Sequence, residues 1–292
     1  MPLDMKIHFS KERIIQWYNH YEGNVYVAFS GGKDSTVLLN LVRDIYPKVP
    51  AVFVDTGLEY PEIKNFVKTI ENVEILRPKI PFNKIIEKYG YPLISKEIAY
   101  KIHQYRQSKS DYWKKCLRGD SLTVKNTDAS IPKRWLFLLD APFKISSFCC
   151  DHLKKKPFLF YEKNTNRKPY IGIMAKDSDL RERTILKNGC NAFDLKHPQS
   201  RPISFWKDED VWQYIKTFNI PYCDIYDKGE VHTGCIFCGF GCHIRGYERY
   251  DKIKELYPKL YDYCMNILGF EKVIKYIIEN DVKNKKKCNF LF

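Results

Sequence analysis

The chain has 292 residues, of which 44% are hydrophobic and 29% are charged, so it can bury a sizeable core and is not wholly disordered. Lysine and arginine number 49 against 35 acidic residues, a net charge of +14 that favours a polyanionic partner or substrate without naming one. No apolar run approaches the ~20 residues of a membrane span, and the first residues contain no apolar signal core. We therefore expect a cytoplasmic protein without membrane association.

The first 76 residues alternate between helical and strand periodicity. The pattern predicts helices over 11–21, 36–45 and 61–71 and strands over 24–29, 51–54 and 73–76. Ser10 is the expected N-cap of the first helix. The order strand–helix–strand–helix–strand predicts a parallel sheet with helices on both faces.

The remainder of the chain is more helical. Residues 82–140 are mostly helical and basic, and the stretch 96–115 interleaves its cations with four aromatic residues, Tyr100, Tyr105, Tyr112 and Trp113. The alternating pattern then resumes, and it predicts a strand over 169–174, a helix over 178–188, a short strand near 201–204, a helix over 208–218 and a helical tail over 246–281.

A glycine-containing loop, residues 30–35 (Ser-Gly-Gly-Lys-Asp-Ser), lies between the first predicted strand and the helix that follows it. Gly31 and Gly32 let the backbone turn tightly, so that its N–H groups and the helix N-terminus can approach a phosphate. The serines supply hydroxyl groups and Lys33 supplies a charge. The spacing is not that of a Walker A loop, and an ordinary glycine-rich turn is the alternative interpretation.

Several segments together carry a resemblance to a known family. They are the loop at 30–35, Val54–Glu62 (Val-Asp-Thr-Gly-Leu-Glu-Tyr-Pro-Glu), Cys149–Cys150, Arg201–Ile203 and Gly234–Cys235. This combination resembles the phosphoadenosine phosphosulfate (PAPS) reductase and adenylylsulfate reductase family of PP-loop ATP pyrophosphatases. The resemblance implies an α/β fold of the adenine nucleotide alpha hydrolase type, with a parallel five-stranded sheet flanked by helices.

The same resemblance divides the chain and assigns its nucleotide site. It implies an N-terminal helix over 1–22, a PP-loop domain over 23–220 with a helical insertion near 82–140, and a cysteine-rich, helical C-terminal region over 221–292. The residues implied to bind the adenine nucleotide are Ser30, Gly31, Gly32, Ser35, Asp55 and Ser178, and those implied to act in catalysis are Lys33, Asp34, Ser35 and Arg181. The placement agrees with ligand binding beyond the carboxyl ends of parallel strands.

The basic motif of the family is only partly retained. In the pattern G-x-R-x-x-E-S-x-x-R, read over 172–181, Ser178 and Arg181 match, whereas Met174 replaces the first arginine and Asp177 replaces the glutamate. Lys176 or Arg183 is a candidate to compensate for the missing cation. A solvated helix face is the alternative interpretation of the arginines.

The cysteines fall into two separated pairs. Cys149–Cys150 and, 84 residues later, Cys235-x-x-Cys238 resemble the pattern that holds a 4Fe–4S cluster in adenylylsulfate reductases, and four thiolates suit that chemistry. A structural Zn²⁺ on Cys235, Cys238, Cys242 and His243 is the first alternative, and a set of buried, unligated thiols is the second. Cys242 and Cys190 are also candidate sulfur carriers.

Two departures from the reductases select among reactions. The chain ends without the Glu-Cys-Gly-Leu-His segment that carries their nucleophile, and its PP-loop is intact, as in members that bind ATP. We therefore predict an adenylating sulfur-transfer enzyme that uses ATP, Mg²⁺ and a 4Fe–4S cluster. The net charge and the stretch 96–115 favour a nucleic-acid acceptor, tRNA or DNA, and a cysteine desulfurase is a candidate sulfur donor. The alternatives are reduction of adenylyl sulfate or PAPS to sulfite, and a non-catalytic nucleotide- or cluster-binding regulator.

Overall fold

The computed structural model describes residues 1–120, 129–231, 233–245 and 248–288, so part of the predicted helical insertion, 121–128, lies outside the described residues. The chain forms two compact units. The first, which we call the sheet unit, comprises Met1–Lys79 and Lys154–Cys235. The second, the helical unit, comprises Ile80–Leu153 and the chain from Ile236 onward.

The helices and strands follow each other in the order that the periodicity predicts for most of the chain. The helices are α1 (Leu3–His20), α2 (Lys33–Ile45), α3 (Pro61–Thr69), α4 (Phe82–Tyr89), α5 (Lys96–Gln107), α6 (Asp111–Arg118), α7 (Lys156–Thr165), α8 (Asp179–Asn188), α9 (Asp208–Thr217), α10 (Cys242–Arg245), α11 (Glu248–Leu256), α12 (Pro258–Asp262) and α13 (Phe270–Cys288). The strands are β1 (Val25–Ala28), β2 (Ala51–Val54), β3 (Val73–Leu76), β4 (Leu93–Ile94), β5 (Lys168–Ile171), β6 (Asn191–Ala192), β7 (Gln199–Ser200) and β8 (Gly239–Phe240).

The sheet unit is built on one sheet, whose described strands run in the order β3-β2-β1-β5-β7-β6. The first five are parallel, and β6 pairs antiparallel with β7. The predicted parallel five-stranded sheet flanked by helices is confirmed, with one short antiparallel strand added at its edge. From β1, the next strands in sequence, β2 and β3, are added towards one edge of the sheet. From β5, the later strands, β7 and β6, are added towards the opposite edge. The strand order therefore reverses between β1 and β5, which is where open α/β sheets bind ligands.

Apolar side chains on both faces of this sheet form the core of the sheet unit. Ile14 and Trp17 of α1 are fully buried, as is Leu38 of α2. On the opposite face, Tyr26 and Val52 pack with Tyr161 of α7. Full burial of each such aliphatic or aromatic side chain contributes about 1.5–3 kcal/mol, so the loop that joins β1 to α2 rests on a rigid base.

The helical unit has a core of its own, drawn from α5, α6, the 3₁₀ segment Lys133–Asp140 and α13. Its strands β4 and β8 form a two-stranded parallel sheet, with Leu93 opposite Gly239. Arg106 of α5 donates hydrogen bonds to four backbone carbonyls around the end of the 3₁₀ segment, those of Leu138, Leu139, Ala141 and Phe143. These bonds satisfy carbonyls that a 3₁₀ end leaves without helical partners.

Two local predictions were wrong, each because a tertiary contact takes precedence over a local pattern. Ser10 is not an N-cap but lies inside α1, fully buried, where its hydroxyl donates to the Pro202 carbonyl (2.9 Å) and accepts from the Trp206 indole (2.9 Å). Residues 201–204 form a turn rather than a strand: the Arg201 N–H donates to the Cys190 carbonyl, and the Ser204 N–H donates to the Arg201 carbonyl. The strand ends one residue earlier, at Ser200.

Within the part of the chain that the structure describes, no helix combines the length and the apolar content needed to cross a membrane.

Candidate nucleotide-binding site

The loop at 30–35 follows β1 at the carboxyl edge of the sheet. Gly31 has a φ of +72°, and a Cβ on this residue would lie 3.0 Å from methyl groups of Ile63 and Val67 on α3. A left-handed backbone and a neighbour this close both require glycine. The turn is therefore set by the sequence at this position and by the helix that packs against it.

Hydroxyl groups hold the loop in shape from within. The Ser35 hydroxyl accepts a hydrogen bond from the Ser30 N–H (3.2 Å), lies 3.0 Å from the Ser30 hydroxyl, and donates to the Gly32 carbonyl (2.9 Å). Thr36 donates to the same carbonyl (3.0 Å). These bonds lie within the loop and the first turn of α2, so the loop's own residues contribute to its shape. Gly32 is the N-cap of α2 and supplies no side-chain acceptor to the first N–H groups of the helix.

One of those N–H groups is bound by a residue that sequence reasoning missed. The Lys33 N–H donates to the hydroxyl of Tyr226 (2.9 Å), which itself lies 3.3 Å from the Thr233 hydroxyl. Both groups sit against Gly32, where a Cβ would be 2.5 Å from the Thr233 hydroxyl and 3.2 Å from that of Tyr226. Tyr226 is 193 residues from Lys33, and no motif around it marks this role.

The Lys33 side chain lies between two carboxylates rather than free in the loop. It is 3% exposed, with its ammonium 2.8 Å from Asp34 and also ion-paired with Asp208 of α9. Burial opposes its charge, but Asp34 and Asp208 outweigh burial and raise the pKa of Lys33. Burial raises the pKa of Asp34, and Lys33 opposes that shift. The predicted cation of the loop is thus already balanced by acidic neighbours, one of which, Asp208, was not predicted.

Asp55 lies at the carboxyl end of β2, as predicted. It accepts a hydrogen bond from the Gly57 N–H (3.1 Å) and pairs with Lys64 (2.8 Å). Burial alone would raise the pKa of Asp55, but the bonds from Lys64 and Gly57 lower it overall, so this carboxylate is ionised at neutral pH. Next to it, the Thr56 hydroxyl donates to Glu59 (2.6 Å), which folds the segment into a tight turn.

The segment after β5 contains the residues that match the basic motif. Ser178 is the N-cap of α8 and accepts from the Arg181 N–H (3.3 Å), while the Arg181 guanidinium pairs with Asp177. Both side chains are exposed. Met174, at the position of the missing arginine, is buried, and its N–H donates to Asp177 (3.2 Å). Ser178 and Arg181 therefore make local contacts within this segment.

The predicted cluster ligands lie in different parts of the chain. Cys149 is buried, Cys150 is half-buried, and their sulfur atoms are 4.0 Å apart at the start of a helical turn in the helical unit. Cys238, also half-buried, precedes β8 of that unit. Cys235 is half-buried at the end of the sheet unit.

Thiolates at this spacing have the right chemistry for a 4Fe–4S cluster. Among the described residues, no three histidine, cysteine, aspartate or glutamate side chains form a group that can hold a metal ion. The zinc alternative meets the same result. The Cys242 sulfur lies 3.5 Å from the Cys238 carbonyl oxygen, to which its thiol can donate, and 3.8 Å from the Tyr250 hydroxyl. The His243 ring packs edge-on against Trp135, with ring centroids 5.1 Å apart.

Cys190, the other candidate sulfur carrier, follows α8 and is half-buried. Its sulfur atom is 3.1 Å from the Ser204 hydroxyl. Arg201, which is 1% exposed, lies close enough to interact electrostatically with this thiol, although burial is the main influence and lowers the pKa of the guanidinium. The arrangement places a thiol beside a buried cation.

The strand order, the loop after β1 and the carboxylate at the end of β2 define an α/β protein of the PP-loop type. The family model of the phosphoadenosine phosphosulfate reductase domain matches residues 24–124 and 133–240, more than half of the chain. The chain belongs to this family, and the resemblance inferred from the sequence is confirmed.

Curated relatives span a range of lengths. An uncharacterised protein of Methanocaldococcus jannaschii is 28% identical over 252 residues, which are 86% of this chain and 42% of that protein. A second one from the same organism is 25% identical over 246 residues, covering 82% and 46%. The chain thus spans less than half the length of these two relatives. An adenosine 5′-phosphosulfate reductase of Bacillus cereus is 26% identical over 227 residues, 77% of each chain.

Solved structures with a similar course of chain include two at low sequence identity. The PAPS reductase of Candida auris, in a phosphate complex, covers 80% of this chain and 93% of its own at 14% identity and a TM-score of 0.45. The U34-tRNA thiolase NcsA of Methanococcus maripaludis, with its 4Fe–4S cluster, covers 93% and 80% at 16% identity and a TM-score of 0.40.

Proposed function

We propose that this protein is an ATP-dependent, adenylating sulfur-transfer enzyme. The observation that carries the proposal is the intact phosphate loop: Ser30 and Ser35 hold it in shape from within, and it opens at the point where the strand order reverses. The Lys33 N–H in the first turn of α2 donates to the Tyr226 hydroxyl. A backbone N–H at a helix N-terminus is also the kind of donor that binds a phosphate oxygen.

The proposed reaction has two displacements. An oxygen of the acceptor attacks the α-phosphorus of ATP, and the bond to pyrophosphate breaks, which leaves an adenylated acceptor. A hydrosulfide or persulfide sulfur then attacks the acceptor atom, and AMP leaves with the oxygen. When the donor is a persulfide, an external thiol then reduces the S–S bond that links donor and acceptor and leaves the sulfur on the acceptor. The loop hydroxyls and N–H groups stabilise the charge that develops on the phosphates, with Mg²⁺ entering as part of the Mg·ATP substrate. Asp55, ionised and fixed by Lys64 and Gly57, is the proposed contact to the nucleoside.

The two cysteine pairs are proposed as the ligands of a 4Fe–4S cluster. The support is the spacing of Cys149–Cys150 and Cys235-x-x-Cys238 together with the affinity of thiolates for iron–sulfur centres. Such a cluster would supply redox-active iron and inorganic sulfide. Neither displacement above is routed through the cluster.

A nucleic acid is the proposed acceptor. In the helical unit, Tyr112 and Trp113 of α6 are 61% and 37% exposed, and Tyr100 of α5 is 45% exposed. Lys109 and Lys115 are exposed beside them. Exposed aromatic rings next to cations suit the stacking of unpaired bases and contact with their phosphates. We propose tRNA or DNA, with the sulfur supplied by a cysteine desulfurase.

Reduction of adenylyl sulfate is the second candidate function. It is favoured by the 26% identity with the adenosine 5′-phosphosulfate reductase of Bacillus cereus across 77% of both chains. It requires a thiol reductant and releases sulfite and AMP without consuming ATP.

The two functions are separated by offering each substrate alone to anaerobically purified protein. We expect pyrophosphate from Mg·ATP, increased by added tRNA or DNA, and no sulfite from adenylyl sulfate with a thiol reductant. Ser35→Ala should lower pyrophosphate release roughly 10²-fold, as loss of an oxyanion donor does. Thr217→Ala, which removes an exposed hydroxyl at the last residue of α9, is the control and should leave the rate unchanged.

The opposite results distinguish the alternatives. Sulfite without pyrophosphate selects the reductase. Nucleotide binding with neither product selects the non-catalytic regulator. If the protein is a sulfur-transfer enzyme, Cys288→Ser should retain full turnover. Complete loss of turnover in this variant would indicate that Cys288 is a nucleophile and would favour the reductase.

A further inference from the structure

The phosphate loop is covered by a segment of its own unit. The capping segment, residues 222–231 and 233–235, brings Tyr226 and Thr233 onto Gly32 and the N-terminus of α2. The Tyr226 hydroxyl accepts from the Lys33 N–H at 2.9 Å, which is the position a phosphate oxygen takes at a helix N-terminus. The proton of this hydroxyl remains available to Thr233, 3.3 Å away.

Packing holds Tyr226 in this place. Its ring meets Trp212 of α9 edge-on, with centroids 5.4 Å apart, and the preceding Ile225 is fully buried. Lys228 pairs with Glu62 of α3 further along the segment, but its side chain is 42% exposed, so solvent screens this pair. The cap thus has one firm anchor, before Tyr226, and a weakly held part after it.

The occupant of the loop is a poor substitute for phosphate. Burial raises the pKa of Tyr226, so its hydroxyl is neutral at physiological pH and offers the helix N-terminus no negative charge. A phosphate offers charged oxygens, and charge-assisted hydrogen bonds are roughly twice as strong as neutral ones. The Tyr226 hydroxyl occupies the Lys33 N–H, and a Cβ at Gly32 would be only 2.5 Å from the Thr233 hydroxyl, so a phosphate oxygen that bonds to this N–H has to displace Tyr226.

We propose that Tyr226 and Thr233 form an autoinhibitory cap that occupies the phosphate position of the loop and that a nucleotide expels on binding. The inference rests on the nucleotide site of the proposed function. It has a consequence for the cysteines, because Thr233 and Cys235 are two residues apart and the chain between them spans at most ~7 Å. We therefore expect the expulsion of Thr233 to alter the exposure of Cys235, one thiol of the second cysteine pair.

The test is binding of α,β-methylene ATP with Mg²⁺ to the full chain, since this analogue cannot release pyrophosphate. Tyr226→Phe removes the hydroxyl from the loop and keeps the ring on Trp212, so we expect about 2- to 10-fold tighter binding from the loss of one competing hydrogen bond. Tyr222→Phe is the matched control. Its ring also meets Trp212, at 5.3 Å, but its hydroxyl donates to Asp227 rather than the loop, so we expect unchanged affinity.

Fluorescence of Trp212 reports the movement itself. The analogue should change the tryptophan emission of the wild-type protein, and Trp212→Phe should abolish that change while the analogue still binds. In addition, the rate at which a maleimide modifies Cys235, followed by peptide mass spectrometry, should change with the analogue, while the rate at Cys190 should not.

Several outcomes would overturn the cap. Equal or weaker binding by Tyr226→Phe would show that its hydroxyl does not compete with the ligand, and wild-type binding without any Trp212 signal would show that the segment stays in place. If the analogue binds with both signals but ATP yields no pyrophosphate, the cap stands and the proposed reaction fails. If neither wild type nor Tyr226→Phe binds the analogue, the nucleotide site and the cap fail together.

Discussion

The phosphate loop and the cysteine pairs are both marked clearly in the sequence, yet the structure treats them differently. The loop is a contiguous run of six residues between β1 and α2, and its hydroxyls and N–H groups bond to one another. The cysteine pairs are separated by 84 residues, and the described part of the chain contains no set of three ligands in one place.

The phosphate loop and the cysteine pairs differ in which interactions determine their geometry. The loop takes its geometry from the strand, the tight turn and the helix that adjoin it in sequence, together with the contact from α3. A cluster site made from distant thiols has no such local frame, and metal binding supplies much of the free energy that gathers its ligands. We therefore expect a bound metal to change the arrangement of the cysteine pairs more than a bound nucleotide changes the loop.

The largest expected effect concerns the metal. If the cysteine pairs hold a 4Fe–4S cluster, anaerobically reconstituted protein will contain about four irons per chain, and Cys149→Ser will lose them. Cys116→Ser removes a buried thiol of the helical unit outside both pairs and is the control. Iron and zinc analysis with visible absorption measures the result. An iron-free protein that binds one zinc would replace the cluster with the zinc alternative.

A smaller effect tests how much the close contact between the loop and α3 contributes. Gly31→Ala places a Cβ at a φ of +72° and 3.0 Å from Ile63 and Val67, so we expect the free energy of unfolding to fall by about 2–4 kcal/mol and nucleotide affinity to fall more than ~10-fold. Gly119→Ala is the control, with a φ of +80° and, among the described residues, its nearest neighbouring atom in Ser130 at 3.8 Å.

Gly119→Ala should lower the free energy of unfolding by only about 1–2 kcal/mol, the cost of the left-handed backbone conformation. It should leave nucleotide affinity unchanged. Denaturant unfolding and analogue titration give both quantities. Equal losses of stability in the two variants would mean that the contact between the loop and α3 contributes nothing.

The smallest effect concerns the charge inside the loop. Asp208 is one of the two carboxylates that balance Lys33, so Asp208→Asn leaves the lysine with Asp34 alone and makes the loop more positive by one charge. We expect nucleotide to bind a few-fold tighter, and the gain to shrink as salt is added. Glu209→Gln makes the same change in charge at an exposed residue next to Asp208 in α9, and it should raise nucleotide affinity less. Equal gains would attribute the effect to net charge rather than to Lys33.

Much of the fold was predictable because its elements are short and locally patterned. The strands at 51–54 and 73–76 have the predicted bounds, and α2, α3, α8 and α9 begin or end within a few residues of expectation. The errors arise where a side chain has a distant partner. Ser10 has the residue type of an N-cap, but its hydroxyl bonds to Pro202 and Trp206, some 190 residues away.

The candidate site divides in the same manner. Asp55 at the end of β2 and the glycines of the loop followed from pattern, since strand ends and tight turns are local features. Two other contacts could not be predicted from pattern: the hydrogen bond from the Lys33 N–H to Tyr226 and the ion pair of the Lys33 ammonium with Asp208. Neither Tyr226 nor Asp208 lies in a motif. Ser178 and Arg181 matched a motif, yet their observed contacts are with each other and with Asp177.

The sequence by itself determined the family, the parallel sheet and the phosphate loop, because periodicity and glycine placement act over a few residues. The tertiary structure decided which groups the loop faces: a tyrosine from 193 residues away on its N–H and an aspartate from α9 on its lysine. Those contacts depend on how the chain returns to the carboxyl edge of the sheet, and packing of distant segments leaves no local signature in the order of the residues.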